Sequence, residues 1–349
     1  EPEELILSAG AGTLVKEIEE CIEIQGQMLA FEPPDLGPLL GGPSECGTLG
    51  GLLACNLAGP RRIKSGAARD HFLGVEAVSG RGEAFKAGGR VVKNVSGYDM
   101  MKVLAGSFGT MAAMTLATVK VLPRPEKTYS VLLYGLDRTQ AVAALTEALC
   151  SSHEVSGAAY LPPELAERSQ VSLVSNSGQS VTAIRVEGPG PSVRHRTAAL
   201  RRELGEFGES EELHSQNSLV FWKEVRDVAP FHEEGDRLIW RVSLAPSECP
   251  YFLNRIEESI PDVQTFLDWG GGLIWLSLPH DDSAWCRRLR ALLPNSGGHA
   301  TLIRAPQGLR AANEVFQPQP DALAGLSKRL KESFDPLGIL NPGRMAVDY

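Results

Sequence analysis

Gly50-Gly51-Leu52-Leu53-Ala54-Cys55-Asn56-Leu57-Ala58-Gly59-Pro60 decides how this chain is read. Two glycines open it, alanines recur and a Gly-Pro pair closes it, so little side chain stands between the backbone and a neighbour. Backbone N–H groups can then approach a ligand that a Cβ would hold off. The stretch sits in a longer run from Gly41 to Pro125, where Gly47 and Thr48 add to the small-residue cluster. Downstream come Lys93-Asn94-Val95-Ser96-Gly97-Tyr98-Asp99 and Gly106-Ser107-Phe108-Gly109-Thr110. A string of apolar and β-branched residues follows and ends in Val119-Lys120-Val121-Leu122-Pro123-Arg124-Pro125. Any one piece is a tight bend as readily as a ligand cradle, so the weight rests on order and spacing.

Composition narrows the class. A chain of 349 residues can bury a full core and predicts two domains, or one with a large insertion. At 43% hydrophobic and 22% charged it reads as a folded soluble protein. No window approaches the roughly 18 consecutive apolar residues of a membrane helix, and no signal-peptide layout opens the chain. The net charge of −9 excludes a nucleic-acid binder, which needs a basic face. Cys21, Cys46, Cys55, Cys150, Cys249 and Cys286 are scattered, which argues against iron–sulfur or zinc sites and for a reduced, cytoplasmic chain. No metal is expected.

The first readable strand is Leu5 to Ala9, followed by a helix from about Thr13 with Leu14, Ile18 and Ile22 on one face. Strands are expected at Leu73 to Val78, Val91 to Val92, Met111 to Leu116 and Thr118 to Leu122, with a short helix at Tyr98 to Leu104. From Tyr129 the pattern becomes strand, helix, strand. Strands read at 129–134, 157–161, 181–186, 238–244, 273–278 and 300–303, and helices at 139–150, 192–204, 251–260 and 284–293. Gly205 to Ser218 reads as an acidic loop, Pro306 to Pro320 as a connector, and Asp321 to Phe334 as a helix leading back to the first unit. Such alternation predicts a ferredoxin-like α+β cap of two related halves.

Together these motifs resemble the FAD-binding domain of the vanillyl-alcohol oxidase and para-cresol methylhydroxylase (PCMH) family. Gly41 to Pro125 looks like its second half, and Phe334-Asp335-Pro336-Leu337-Gly338-Ile339-Leu340-Asn341-Pro342-Gly343-Arg344-Met345 like its C-terminal return segment. Leu57 to Arg62, Lys93 to Asp99 and Gly297-Gly298-His299-Ala300-Thr301 resemble more narrowly the FAD-binding subunits of bacterial glycolate oxidase. The resemblance implies an α+β protein: a PCMH-type FAD-binding domain over residues 1–125, a cap over 126–320, and a return segment over 321–349. The family's first strand-and-loop segment has no counterpart before Glu1. The expectation is therefore weak FAD binding and an unpaired edge near Leu5 to Ala9.

Carried over residue by residue, the resemblance places the flavin against Gly42, Pro43, Ser44, Thr48, Gly50, Gly51, Cys55, Asn56 and Ala58. It adds Gly109, Thr110, Ala113 and Met114 at the adenine end, with the Thr110 hydroxyl as a phosphate donor. Phe108 and Ala112 depart from the residues usual there. Gly66 and Asp70 are flavin contacts or a turn held by an Arg69–Asp70 pair. Lys93 and Tyr98 either sense the flavin or are solvated. Asn341 and Arg344 either face flavin and substrate carboxylate or shape a clipped-on tail. His299 is a candidate base, but the other histidines, His71, His153, His195, His214, His232 and His280, are scattered, which favours a structural role. Trp269 and Trp275 read as core residues.

The implied activity is oxidation of glycolate to glyoxylate by an FAD-binding subunit of a complex. A larger FAD-linked subunit and an iron–sulfur subunit are its expected partners, cytoplasmic or at the inner-membrane periphery through the complex. A self-sufficient FAD-linked dehydrogenase for D-lactate or another 2-hydroxy acid is the alternative, and a scaffold that has lost flavin is a third reading.

Overall fold

The computed structural model describes residues 1–90, 98–233, 235–279 and 284–346. The expected strand Val91 to Val92, Lys93 and His280 lie outside the described residues. The first unit holds β1 (Ile6–Gly10), β2 (Gln27–Met28), β3 (Phe72–Ser79), β4 (Ala84–Gly88), β5 (Ala112–Lys120) and β6 (Leu122–Pro123). Four of them form an antiparallel sheet in the order β1-β5-β3-β4, with β1 at one edge, while β2 and β6 pair separately. Met111 to Leu116 and Thr118 to Leu122 were expected as two strands. Residues 112–120 form one strand, β5, because Ala117 continues the pleat and pairs on both sides, with Ala9 and Val75, while Leu122 falls in β6. The Val15–Glu23 helix buries Ile18 and Ile22, four residues apart, on the sheet's core.

The second unit is one sheet of eight strands, β7 (Lys127–Tyr134), β8 (Gly157–Leu161), β9 (Val181–Gly188), β10 (Ser210–His214), β11 (Leu238–Ser243), β12 (Gln264–Asp268), β13 (Leu273–Leu278) and β14 (His299–Arg304). Their order is β10-β7-β9-β8-β12-β13-β11-β14. Each run of four, with two helices inserted, is strand-helix-strand-strand-helix-strand, the ferredoxin-like arrangement, and the halves meet at a single pair, Leu267 with Tyr160. Helices 138–150, 190–203, 249–259 and 285–291 cover one face. The Ser215–Asp227 helix and the first unit cover the other. Both faces are therefore dry, which is why β13 reads Leu-Ile-Trp-Leu-Ser-Leu with no polar alternation.

The expected loop Gly205 to Ser218 is a correction. Ser210–His214 is edge strand β10, and a helix begins at Ser215. An edge strand needs one anchored face, and fully buried Leu213 suffices while Glu209 and Glu211 stay in water. The connector 306–320 likewise contains a short helix, Gln307–Ala312.

The two units meet over a buried charge network. Arg185 on β9 forks onto Glu32 at 2.7 and 2.8 Å, and Arg61 forks onto Glu187 with both bonds at 2.9 Å. Glu32 also accepts from the Arg61 backbone N–H at 2.6 Å, and Thr128 donates to Glu187. The Arg185 guanidinium lies over the Trp222 indole, 4.7 Å from its centroid. Burial alone would raise the Glu187 carboxyl, but Arg185 and Arg61 reverse this and hold it at about 2. Glu32 is lowered by the same two arginines against its burial.

A depressed carboxylate stabilises the fold fully above its unfolded value, near 4.5, and that contribution is lost as pH falls through about 2. Glu187→Gln should therefore flatten the acid limb of the stability curve over that window. At pH 7 it should cost roughly 3–5 kcal/mol by leaving Arg61 short of a partner. Urea unfolding at pH 7 and along a series down to pH 2 checks both, and an acid limb as steep as the parent's would show that the network is not its source.

Candidate functional site

Thr48 caps the Leu49–Cys55 helix, its Oγ1 accepting from the Gly51 N–H at 3.2 Å. Gly50 is needed for packing: its N–H donates to the Ala11 carbonyl at 2.7 Å, and a Cβ would stand 2.8 Å from that of Ala11. The helix stops at Asn56, which takes a left-handed φ of 51°. The loop after the Met100–Leu104 helix is tied to it by Phe108 N–H to the Ala54 carbonyl at 2.9 Å. Phe108 and Gly109 then turn through φ of 53° and 71° into β5. These elements form one wall of a cavity of about 950 Å³, near the upper end of the roughly 300–1,000 Å³ usual for ligand sites.

The chain's return segment forms the other wall. Asn341 Nδ2 donates to the Phe108 carbonyl at 2.9 Å, and a Cβ on Gly109 would come within 2.8 Å of that nitrogen. The Arg344 guanidinium lies 5.7 Å from the Phe108 ring centroid. What holds this segment is Lys331, buried in the Asp321–Phe334 helix. Its ammonium donates to Asp335 Oδ2 at 2.5 Å and to the carbonyls of Thr110 and Leu340 at 2.8 and 2.9 Å. Asp335 in turn accepts from the backbone N–H groups of Ile339 and Leu340. Burial opposes its ionisation, but these bonds hold its carboxyl below the usual range.

Of the sequence candidates, the cavity gathers Gly50, Gly51, Cys55, Gly109, Ala113, Met114, Asn341 and Arg344. Ala11, Gly12 and Ala112 also line it. Arg344 is the one charged residue among the lining, so the cavity favours an anion. Burial raises the Cys55 thiol, with Arg344 acting the other way.

Gly42, Pro43 and Ser44 are exposed on a separate loop and do not line the cavity, nor do Thr48, Asn56 and Ala58. Asn56 instead accepts from the Arg69 N–H at 3.0 Å. Thr110 is a correction: its hydroxyl is buried and donates to the Ser107 carbonyl at 2.7 Å, so it has no proton to offer a phosphate. Gly66 and Asp70 build a turn. Asp70 accepts from the Ala67 N–H at 2.8 Å and sits 3.8 Å from Lys102, so no Arg69–Asp70 pair forms. Tyr98 is exposed. His299 starts β14 away from the cavity, and partial burial together with Arg241 and Arg62 lowers its pKa. Lys331 and Asp335 carry no sequence signal of this role, because a Lys–Asp pair four residues apart usually marks a solvated helix face.

A second cavity of about 580 Å³ lies at the junction of the units, lined by Glu32, Arg61, Arg185, Glu187, Arg226 and others. Those five charges are already engaged with carboxylate or guanidinium partners. It offers a ligand less than the first.

Residues 1–88 match the family "FAD binding domain", and residues 307–345 match "FAD linked oxidases, C-terminal domain". Glycolate oxidase subunit GlcE of Escherichia coli (strain K12) is 35% identical over 349 residues, 100% of this chain and 84% of the relative. Glycolate oxidase subunit GlcD of Bacillus subtilis (strain 168) is 33% identical over 137 residues, 39% of this chain and 27% of the relative. D-lactate dehydrogenase of Archaeoglobus fulgidus is 37% identical over 115 residues, 33% of this chain and 24% of the relative. Among solved structures, an alkyldihydroxyacetonephosphate synthase superposes with a TM-score of 0.63 at 20% identity, covering 99% of this chain and 66% of that one. That likeness bears on the fold alone, which is the PCMH-type FAD-binding fold with its α+β cap.

FAD is the cofactor, and the larger cavity fits it. Its floor is Gly50, Gly51, Ala54, Gly109, Ala112 and Ala113, so little side chain fills it, and among the described lining residues it carries the Arg344 cation and no carboxylate.

Two substitutions test the cavity. Ala113→Phe, at an exposed strand position on the floor, should lower FAD affinity at least ten-fold with an unchanged unfolding midpoint, read by flavin fluorescence and thermal melts. Lys331→Met strands the buried Asp335 carboxylate and should cost about 3–5 kcal/mol. Adding Asp335→Asn should restore part of this, measured by denaturant titration.

Proposed function

Because this chain belongs to the FAD-linked oxidase family of glycolate oxidase subunit GlcE, we propose that it is an FAD-binding subunit of a glycolate oxidase complex converting glycolate to glyoxylate. When bound, FAD supplies the two-electron oxidant for the hydroxyl-bearing carbon. The chain's own part is to hold that cofactor. Gly50, Gly51 and Gly109 leave room for it, Asn341 closes the wall by its bond to Phe108, and Arg344 supplies positive charge. In this reading residues 1–125 are the FAD-binding domain, 126–320 the cap, and 321–349 the return segment.

A larger FAD-linked subunit and an iron–sulfur subunit complete the assembly and carry electrons away. Separate subunits named GlcE and GlcD among the relatives support it. So does the spread of the six cysteines, of which Cys249 and Cys286 are buried singly in the core of the cap. No described helix is long and apolar enough to cross a membrane. The proposed location is cytoplasmic, at the inner-membrane periphery through the partners.

The observation that carries the reading is the 950 Å³ cavity floored by glycine and alanine, in a chain alike to GlcE along its whole length. Purified alone, the chain should reduce a dye with glycolate at under about a tenth of the rate of the co-expressed three-subunit complex. Equal turnover alone would refute the need for partners, and a complex that prefers D-lactate would replace glycolate as substrate.

A further inference from the structure

Most buried or half-buried arginines in the chain are engaged. Arg61, Arg185, Arg196, Arg201 and Arg226 each hold a carboxylate or a carbonyl. Arg62 and Arg241 differ: among the described residues neither guanidinium has a hydrogen bond or an ion pair, and only their backbones are bonded. Yet both guanidiniums are gathered on one aromatic platform, at 4.6 and 5.0 Å from the Trp269 ring. Their central carbons are therefore no more than about 10 Å apart. Two like charges held together out of bulk water repel one another, and each lacks the partner that desolvation demands.

The platform is built with strain. Trp269 is buried and non-glycine, yet takes a φ of 54° in the turn after β12. Bulky residues rarely adopt that conformation, and where they do the surroundings must enforce it. Here Asp268 accepts from the Trp269 N–H at 2.7 Å, and the indole Nε1 donates to the Gly59 carbonyl of the first unit at 3.1 Å. Arg62 follows Arg61, which the junction network fixes, and Arg241 projects from β11 of the cap. The pair exists only where both units contribute.

We propose that Arg62, Arg241 and Trp269 form a binding site for a small carboxylate. A planar carboxylate accepts from guanidinium forks, and its charge cancels the repulsion of the two arginines. The indole gives an apolar floor for the attached carbon. Asp70 lies toward Arg62 beside Arg69, Asp268 toward Arg241, and His299 sits under the field of both arginines. Burial and Arg62 push Arg241 down to about 10, so it stays charged at neutral pH. Burial drives the Asp268 carboxyl up to about 7, against the Trp269 N–H bond and the pull of Arg185 and Arg241. The assignment stands on the arginine geometry and goes beyond the reaction proposed above.

Oxalate, a small carboxylate with no hydrogen to lose, tests binding without turnover. Calorimetry on the full-length, FAD-loaded chain should show oxalate binding that Arg62→Gln and Arg241→Gln each weaken at least ten-fold. Ethylene glycol should not bind. In the parent, oxalate should raise the pH at which the His299 ring titrates by NMR, because it offsets the two positive charges. Should a glutamine variant fail to fold, Arg241→Lys keeps charge and stem but loses the planar fork, and should weaken oxalate several-fold at the parent's unfolding midpoint. Unchanged oxalate affinity in the folded variants, or inorganic phosphate binding the parent as tightly as oxalate, would overturn the site. Loss of glycolate turnover by the complex with oxalate binding intact would count against the proposed reaction alone.

Discussion

The junction of Glu32, Arg61, Arg185 and Glu187 is the interaction on which the rest of this structure rests. Two guanidinium forks and two carboxylates, all nearly out of water, satisfy one another across the seam between the flavin unit and the cap. Such a cluster gains little over an apolar seam of the same shape, but any single member lost leaves a charge stranded. Its effect is directional. Forked bonds fix angle as well as distance, so the cap meets the first unit in one orientation. That orientation puts Trp269 against Gly59 and brings Arg241 of the cap to Arg62.

Much of this was legible in the sequence where local chemistry and packing agree. Asp321 to Phe334 reads as a helix at both ends because Pro320 opens it and its apolar residues recur at helical spacing. Leu273 to Leu278 reads as a strand because both faces are dry. The 950 Å³ cavity was half legible. Small residues at 50–55 and 109–114 do line it, whereas Gly42 to Ser44 share the composition and not the place. Glycine marks permitted backbone, and a turn needs that as much as a cofactor does.

The rest depended on pairing across long sequence separations, which no periodicity reveals. β10 carries one buried apolar residue, too few to mark a strand by alternation. Thr110 looked like a phosphate donor until its hydroxyl met the Ser107 carbonyl. Nothing local marks Lys331, whose role depends on the fold bringing the Thr110 carbonyl to it. Arg62 and Arg241 are ordinary residues in a list and become unusual only on a shared indole.

The bond from Asn341 to Phe108 joins walls 233 residues apart. Ribosomes add residues one at a time, at about 5–20 per second. The floor of the cavity is thus translated some 10–50 seconds before the segment that closes it. Through that interval the nascent first unit lacks the ammonium of Lys331 and the amide of Asn341, while both halves of the cap are being made and can fold locally. Closure of the cavity is thereby placed late in the protein's birth, and a message cut short before residue 331 would yield a chain whose cap can fold but whose cavity wall cannot close.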